Sequence, residues 1–302
     1  MKRLVIASLV AAAVVIGLGV MYARQETSQT DSAQNPSKIK VFASFYPLYE
    51  FSKNIGGNKA DVYVFTPIGV EPHDWEPSTG NLVALKKSNI FVYNGFDMEP
   101  FVTKLANSDE YQNVLFVEAS HGIAKSNATD PHVWLDPVLA KSQVAQITSA
   151  MQKVDPQNAQ YYTNNAKEYS AKLDELDSTI KTGLSNCKKD TIVTFHSAFS
   201  YFGKRYGIKI HSLSGIIPEN EVTANNLKNL IDYIRKNNIR VIFAEDLVDP
   251  KLAQVLADEA GAQVLILSPL EGITTQEQAS GISYMDKMEE NLKNLRGALE
   301  CT

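Results

Sequence analysis

The sequence lacks the short motifs that mark the common nucleotide-dependent and hydrolytic enzymes. It contains no P-loop, no G-x-G-x-x-G after a predicted strand, no G-x-S-x-G and no H-E-x-x-H. It also has no excess of positive charge, because the formal net charge is −5 and no basic stripe stands out along the chain. A nucleic-acid-binding surface usually leaves such a basic footprint, so we expect no nucleic-acid partner.

Cysteine is scarce, since the 302 residues contain only Cys187 and Cys301. Neither follows the apolar N-terminal segment, so we do not expect the lipid anchor that bacterial proteins attach to such a cysteine. In an oxidising compartment the two thiols can pair and close a long loop, and otherwise they stay free. Their spacing alone leaves a disulfide and two free thiols equally open.

The beginning of the chain differs from the rest. Lys2 and Arg3 precede an apolar run that continues to about Tyr22, which predicts a signal peptide or an uncleaved membrane anchor over residues 1–22. The positive start places the body of the protein outside the cytoplasm, in the periplasm or on the outer face of the cell membrane. The polar residues 23–38 are expected to form a flexible tether.

Short apolar strands alternate with amphipathic helices from Lys38 onwards, which predicts an α/β fold with mainly parallel sheets. The segment 156–186 interrupts this alternation, because its apolar residues recur at steps of three and four. We interpret it as one long rigid helix that joins two β/α lobes, residues 39–155 and 187–302. A single domain with a long surface helix is the alternative.

Both tryptophans and two of the five histidines occur in a short motif that the chain repeats. Residues 71–75 read Glu-Pro-His-Asp-Trp, and residues 130–134 read Asp-Pro-His-Val-Trp. The proline before each histidine stiffens the loop that carries the imidazole. Neutral histidine is the commonest metal-binding side chain, so the repeat predicts a metal site that includes His73 and His132.

Two further side chains occupy comparable positions in the second half. His196 follows a predicted strand over 191–195, and Glu271 follows the last predicted strand. Because ligands of open α/β sheets gather at the carboxyl ends of strands, we expect all four side chains to meet in the cleft between the lobes. Three imidazoles and one carboxylate suit a four-coordinate Zn²⁺ ion. Such a set fills the coordination shell, which favours holding an ion over catalysis.

Other residues near these motifs are candidates for supporting roles. Asp74 and Asp130 are predicted to orient imidazoles by hydrogen bonds. Trp75 and Trp134 are predicted to shield the site from water. Glu245, at the end of another predicted strand, is either a helper of the site or a partner in an ion pair between the lobes.

Three segments resemble the metal-binding solute-binding proteins of zinc and manganese ABC importers, in particular the zinc type. They read Glu-Pro-His-Asp-Trp-Glu-Pro-Ser at 71–78, Asp-Pro-His-Val-Trp-Leu-Asp-Pro at 130–137 and Phe-His-Ser-Ala-Phe-Ser-Tyr-Phe at 195–202. The resemblance covers essentially everything after residue 38. It implies two lobes joined by a rigid helix, a metal between them, and delivery of that metal to a permease driven by a cytoplasmic ATPase. We expect the protein to act as a monomer.

The same resemblance implies His73, His132 and His196 as metal ligands. Glu271, in a Pro-Leu-Glu-Gly stretch, matches the place of the family's last carboxylate. Manganese-type members tend to have a carboxylate as the third ligand, so His196 favours Zn²⁺. Many zinc-type members carry a His-rich loop before the second motif, whereas residues 118–130 contain one histidine. Mn²⁺ therefore stays open as the alternative.

Two other functions fit parts of this pattern. An extracytoplasmic zinc hydrolase would use Glu271 or Glu245 as its base and would keep one coordination position open for water. A surface adhesin would hold a structural metal and would bind a host or matrix protein whether or not the metal is loaded. We expect instead a protein, not an enzyme, that captures zinc for an ABC permease.

Overall fold

The structure, a computed structural model, describes residues 38–123, 130–213 and 224–302. The predicted signal peptide or anchor over 1–22 lies outside these ranges, as does all of the predicted tether over 23–38 except Lys38. Within them, no helix combines the length and the hydropathy that crossing a bilayer requires.

The first half of the fold has four short strands, which form one sheet, and three helices that connect them. They are β1 (Ile39–Ala43), α1 (Tyr46–Gly56), β2 (Ala60–Val64), α2 (Thr79–Leu85), β3 (Ile90–Tyr93), α3 (Val102–Ala106) and β4 (Leu115–Glu118). All pairings are parallel, in the order β2-β1-β3-β4. The two central strands are rich in β-branched and aromatic residues, which suit a sheet covered on both faces.

Two long helices follow the first sheet along the chain. Helix α4 (Pro137–Val154) is capped by Asp136, whose carboxylate accepts two backbone N–H bonds. Helix α5 (Ala159–Gly183) has 25 residues and is therefore about 37 Å long. The structure confirms a helical linker between the two sheets. The exact limits predicted for the linker, 156–186, and for the lobes on either side stay a prediction.

A second layer of four strands repeats the topology of the first. Its described elements are β5 (Thr191–Thr194), α6 (Ser200–Tyr206), β6 (Lys209–Ser212), α7 (Ala224–Lys236), β7 (Val241–Ala244), α8 (Lys251–Ala260), β8 (Gln263–Ile266), α9 (Thr275–Ser280) and α10 (Tyr284–Ala298). These strands are also parallel, in the order β6-β5-β7-β8. The predicted fold, two parallel α/β lobes with a helical linker, is confirmed.

The largest hydrophobic core is shared by the two halves of the chain. It contains Trp134 from the first half together with Leu270 and Tyr284 from the second, all of them fully buried. The apolar face of α5 packs into the same core. Helices α7 and α8 pack on the second sheet around a smaller separate core. The loop between β8 and α9 is therefore packed against the first half of the molecule.

The two cysteines are joined in the structure. Cys187, just after α5, forms a disulfide with Cys301, just after α10. The bond connects residues that are 114 positions apart and ties the C-terminal end of the linker helix to the end of the chain. Of the two states that the sequence leaves open, the structure contains the disulfide.

Candidate metal centre

Parallel strands bring the predicted ligands to one place. His73 lies in the loop after β2 and His132 in the loop after β4, whereas His196 follows β5 and Glu271 follows β8. One nitrogen from each imidazole and one oxygen of the carboxylate all lie within 4.8 Å of one another. The structure therefore brings all four predicted ligands together, with two contributed by each half of the chain.

The donor atoms of this cluster are in close contact. The Nε2 atom of His73 lies 3.3 Å from Nε2 of His132 and 3.1 Å from Oε1 of Glu271. The Oε1 atom of Glu271 lies 2.9 Å from Nε2 of His132 and 3.5 Å from Nε2 of His196. The Nε2 atoms of His132 and His196 are 3.4 Å apart. Four donors thus surround a common centre.

These spacings can be compared with those around a zinc ion. In a tetrahedron the distance between ligands is about 1.63 times the bond to the metal. Zinc–nitrogen bonds of about 2.0–2.1 Å therefore place neighbouring ligands about 3.3 Å apart. The five donor–donor distances given above range from 2.9 to 3.5 Å. These five distances match a four-coordinate zinc site, and the sixth pair, between His73 and His196, lies within 4.8 Å.

Among the described residues, no lysine or arginine pairs with the carboxylates around the cluster. Asp130, Glu245 and Glu271 are between 1% and 7% exposed. Across the part of the chain that the structure describes, the ion pairs of these three carboxylates are with histidines alone. Asp130 and Glu245 each also have one carboxylate oxygen that is buried without a hydrogen-bond partner among the described residues. Buried negative charge of this kind calls for a cation.

The pKa values of the cluster reflect the same charge. Burial lowers the pKa of His196, but the carboxylates of Glu271 and Glu245 outweigh burial and raise it to about 10. Burial likewise opposes ionisation of His132, whose pKa is nevertheless raised by Asp130 and Glu271. Although burial favours the neutral form of Glu271, the facing histidines hold the pKa of this carboxyl well below its usual range. In the metal-free protein, protons on imidazoles balance the carboxylates.

Two carboxylates contact the Nδ1 atoms of two imidazoles, on the side of the ring away from the centre of the cluster. Asp130 Oδ1 lies 2.9 Å from Nδ1 of His132, and Glu245 Oε1 lies 2.6 Å from Nδ1 of His196. In each neutral imidazole, Nδ1–H donates to the carboxylate, which leaves the Nε2 lone pair directed at the centre of the cluster. Asp130 and Glu245 thus contact the Nδ1 atoms of His132 and His196, and their roles in orienting these imidazoles for a metal stay predictions.

The two tryptophans of the repeated motif lie in different surroundings. The ring centroid of Trp134 is 5.2 Å from that of His132, and its indole N–H donates to the carbonyl of Pro269 at 2.7 Å. Trp75 instead packs edge-on against Phe65 in a separate core of the first half. Trp134 thus lies against His132, whereas Trp75 contributes to the core beside the cluster, and shielding of the site by tryptophan stays a prediction.

The acidic residue of the first motif that lies beside the cluster is Glu71, not Asp74. The side chain of Asp74 is exposed, so the structure does not place it in the predicted role of orienting an imidazole. Glu71 Oε1 accepts from the backbone N–H of His73 at 3.3 Å. Burial and the charge of Glu271 raise the pKa of Glu71 to about 9, so this carboxyl is protonated at neutral pH. The sequence signal for Glu71 is its position in the motif, because Glu71 precedes its Pro-His pair as Asp130 precedes the other.

The remaining two histidines lie outside the cluster. His121 is exposed, just after β4. His211 is also exposed, in the edge strand β6, and its ring packs against that of Tyr233 with centroids 4.0 Å apart.

Comparison with known proteins agrees with this geometry. A family model described as the periplasmic zinc-uptake complex component A, ZnuA, matches residues 41–298. The chain is 39% identical over 280 residues to the high-affinity zinc uptake system protein ZnuA of Bacillus subtilis (strain 168), covering 87% of this chain and 88% of that protein. It is 34% identical over 306 residues to the zinc-binding protein AdcA of Streptococcus pyogenes serotype M3, covering 92% of this chain. It spans only 59% of the length of AdcA.

A solved structure shows the same likeness. The Zn(II)-bound ZnuA-like domain of AdcA from Streptococcus pneumoniae is 34% identical and superposes with a TM-score of 0.79, covering 87% of this chain and 100% of that one. The matched region contains both sheets, the helical linker and all four residues of the cluster. The chain belongs to the ZnuA family, the periplasmic components of zinc-uptake complexes.

Proposed function

We propose that this protein captures Zn²⁺ outside the cytoplasm and delivers it to an ABC-type membrane permease. The observation that carries the proposal is the buried cluster of three imidazoles and one carboxylate, whose spacing matches tetrahedral zinc. Membership in a zinc-uptake family supports the same conclusion. Because each half contributes two donors, the ion would be held between the two sheets.

Zinc fits this donor set better than manganese does. Imidazole nitrogen is a good ligand for zinc, whereas manganese prefers oxygen ligands and six-coordinate geometry. The third ligand, His196, is held with its Nε2 towards the centre by Glu245. An imidazole fixed in this way supports zinc as the cargo.

The arrangement does not favour an enzyme. The four protein donors fill a tetrahedral shell, whereas a catalytic zinc keeps one position for water. The two carboxylates that were considered as a hydrolytic base have other roles, because Glu271 belongs to the cluster and Glu245 is bonded to His196. An adhesin whose metal is only structural is not favoured either, since the chain belongs to a family of zinc-uptake components.

The cellular setting of this function is also a proposal. The family is described as periplasmic, which supports a location outside the cytoplasm. The N-terminal segment over 1–22 then serves as a cleaved signal or as an anchor. The permease works with a cytoplasmic ATPase, and the binding protein acts as a monomer.

The metal preference can be tested with protein stripped of metal by a chelator. Titration with Zn²⁺ against a fluorescent competitor is expected to show one tight site per chain. Mn²⁺ is expected to bind much more weakly and to be displaced by stoichiometric zinc, because the site offers nitrogen donors. Failure to bind zinc, or manganese binding as tight as that of zinc, would contradict the proposal.

Zinc binding should release protons near neutral pH. Since the pKa of His196 is raised to about 10, its imidazole is protonated in the metal-free protein at pH 7.5 and has to lose that proton to bind metal. We expect at least one proton released per ion, so the affinity should rise about tenfold per pH unit between roughly pH 6.5 and 8.5. Calorimetry in buffers with different ionisation enthalpies measures this number, and a value of zero would exclude the idea.

The stability of the metal-free protein should change in the opposite direction. A histidine whose pKa is raised by folding stabilises the fold fully below its unfolded pKa of about 6.5, and this contribution is lost as the pH rises through the folded value. With His196 at about 10, urea unfolding in a chelator should give a lower free energy of unfolding at pH 9 than at pH 6.5. His211→Ala, at an exposed histidine, serves as the control. It should leave unchanged the pH dependence of zinc affinity and the pH dependence of the free energy of unfolding.

A further inference from the structure

A second buried polar network lies outside the metal cluster and was not indicated by any sequence motif. It joins the carboxyl ends of β1 and β3 to the loop of His132. Its side chains are nearly or fully inaccessible to solvent. They are Ser44, Asn94, Glu99 and Gln143.

A single carboxylate organises one end of this network. Glu99 Oε1 accepts from the Ser44 hydroxyl at 2.5 Å and from the backbone N–H of Asn94 at 2.8 Å. Its Oε2 accepts from the backbone N–H of Gly95 at 3.2 Å. Three donors therefore replace the water that this carboxylate would bind if it were exposed. They fix the end of β3 relative to the end of β1.

The turn that Glu99 holds has an unfavourable backbone. Gly95, Phe96 and Asp97 have φ values of 89°, 55° and 61°. Phe96 and Asp97 carry a Cβ atom, for which this left-handed region is sparsely populated. Such a conformation persists only where surrounding contacts impose it, and Glu99 binds the backbone directly before it, at Asn94 and Gly95. Strained turns of this kind concentrate at functional sites.

Asn94 connects this turn to the loop of His132. Its Nδ2 donates to the carbonyl of Pro131 at 2.9 Å, and its Oδ1 accepts from Nε2 of Gln143 at 2.9 Å. Pro131 directly precedes His132. The bond from Gln143 fixes the orientation of the Asn94 amide, so that its N–H₂ group faces Pro131. The backbone on the N-terminal side of His132 is thus held by a side chain from another strand.

Asp130 and Asn94 constrain different parts of the same ligand. Asp130 binds both the backbone N–H and the ring Nδ1 of His132, which sets the rotation of the imidazole. Asn94 binds the preceding carbonyl, which sets where the backbone of His132 lies. A ligand atom reaches a metal correctly only if both are fixed.

We infer that Asn94 and Glu99 are positioning residues for the metal centre, because together they hold the Pro131 carbonyl and thereby keep His132 Nε2 in place among the other donors. This inference rests on the proposed function. It assigns a part in metal binding to two residues that do not touch the metal cluster.

The test uses near-isosteric variants of the full-length protein. Asn94→Asp replaces the Nδ2 donor by an oxygen, so the bond to the Pro131 carbonyl is lost. Glu99→Gln replaces one carboxylate oxygen by an N–H₂ group, which cannot accept from the hydroxyl or backbone N–H that bound this oxygen. Zinc affinity should fall by about tenfold to a hundredfold in Asn94→Asp and by about tenfold in Glu99→Gln. Because burial raises the pKa of Glu99 to about 7, the measurement is made at pH 8, where its carboxylate is charged.

A matched control separates positioning from general stability. Asp155 is a buried carboxylate in the same half, at the end of α4, and accepts from Asn158 and Tyr162. Asp155→Asn should destabilise the protein and leave zinc affinity unchanged. The visible spectrum of the Co²⁺-loaded protein depends on ligand arrangement, so it should change in Asn94→Asp and Glu99→Gln but not in the control.

The outcomes distinguish this inference from the proposed function. If wild-type protein binds zinc while Asn94→Asp and Glu99→Gln keep its affinity and cobalt spectrum, the inference is overturned and the function stands. If wild-type protein does not bind zinc, the function itself fails. Should Asn94→Asp not fold, Ser44→Ala removes one donor to Glu99, and an affinity about threefold weaker with an altered cobalt spectrum would support the inference. An unchanged affinity and spectrum in Ser44→Ala would overturn it.

Discussion

Replacing His196 by alanine is expected to weaken zinc binding by a hundredfold or more. Structural zinc sites with four ligands bind with about 10–16 kcal/mol, so that one ligand accounts for roughly 3 kcal/mol. The loss should be large here, because the substitution also leaves Glu245 without its 2.6 Å partner. Competition with a chelator of known affinity measures the change in the dissociation constant.

The chain provides a matched control for this experiment. His211 lies in the same half and is exposed, with its ring on Tyr233 instead of in the cluster. His211→Ala should therefore bind zinc with the affinity of the wild-type protein. Retention of wild-type affinity in His196→Ala would remove that residue from the site and with it the four-coordinate interpretation.

Removal of the disulfide is expected to lower the free energy of unfolding by about 2–5 kcal/mol. The bond between Cys187 and Cys301 closes a loop across a separation of 114 residues. A cross-link that closes a loop of about 100 residues lowers the conformational entropy of the unfolded chain, which stabilises the folded state by roughly 4.7 kcal/mol. The double variant Cys187→Ser/Cys301→Ser should unfold at a correspondingly lower urea concentration. Its zinc affinity should persist, because neither sulfur lies in the metal cluster.

Reductant provides the control for the disulfide experiment. Adding a thiol reductant should destabilise the wild-type protein towards the double serine variant and should have no effect on that variant. Equal unfolding midpoints for the oxidised wild-type protein and the double variant would show that the bond contributes nothing to stability.

The sequence predicted the fold and the meeting of the four side chains for identifiable reasons. Strand and helix periodicities indicated parallel sheets, and ligands at the carboxyl ends of parallel strands converge on one edge. The repeated Pro-His pair pointed to His73 and His132, and the position after a strand pointed to His196. Each of these signals lies within a few consecutive residues, so the sequence alone was enough to predict the feature.

Features that depend on the direction of a side chain were not predictable in the same way. The two copies of the motif have equal spacing, yet Trp134 contacts its histidine whereas Trp75 faces a different core. Similarly, Asp74 points to solvent while Glu71 lies beside the cluster. The spacing of residues in the motif fixes how far apart they lie along the chain, but the path of the loop decides which way each side chain points.

The network around Glu99 left no signal in the sequence at all. Its bonds join residues 4 to 55 positions apart, and the left-handed turn includes Phe96, a residue type that rarely adopts a positive φ. Only the packing of β1, β3 and α4 brings Ser44, Asn94 and Gln143 together.

The contacts of Trp134 determine how the site forms around an ion. Its indole N–H holds the carbonyl of Pro269, and its own carbonyl accepts from the Tyr284 hydroxyl at 2.6 Å. Glu271 follows Pro269 by two residues, so this carboxylate stays beside His132 through contacts that involve no cation. Little loop ordering is left for the incoming ion, and the energetics of capture are then set by loss of the imidazole protons and by shedding of the ion's hydration water.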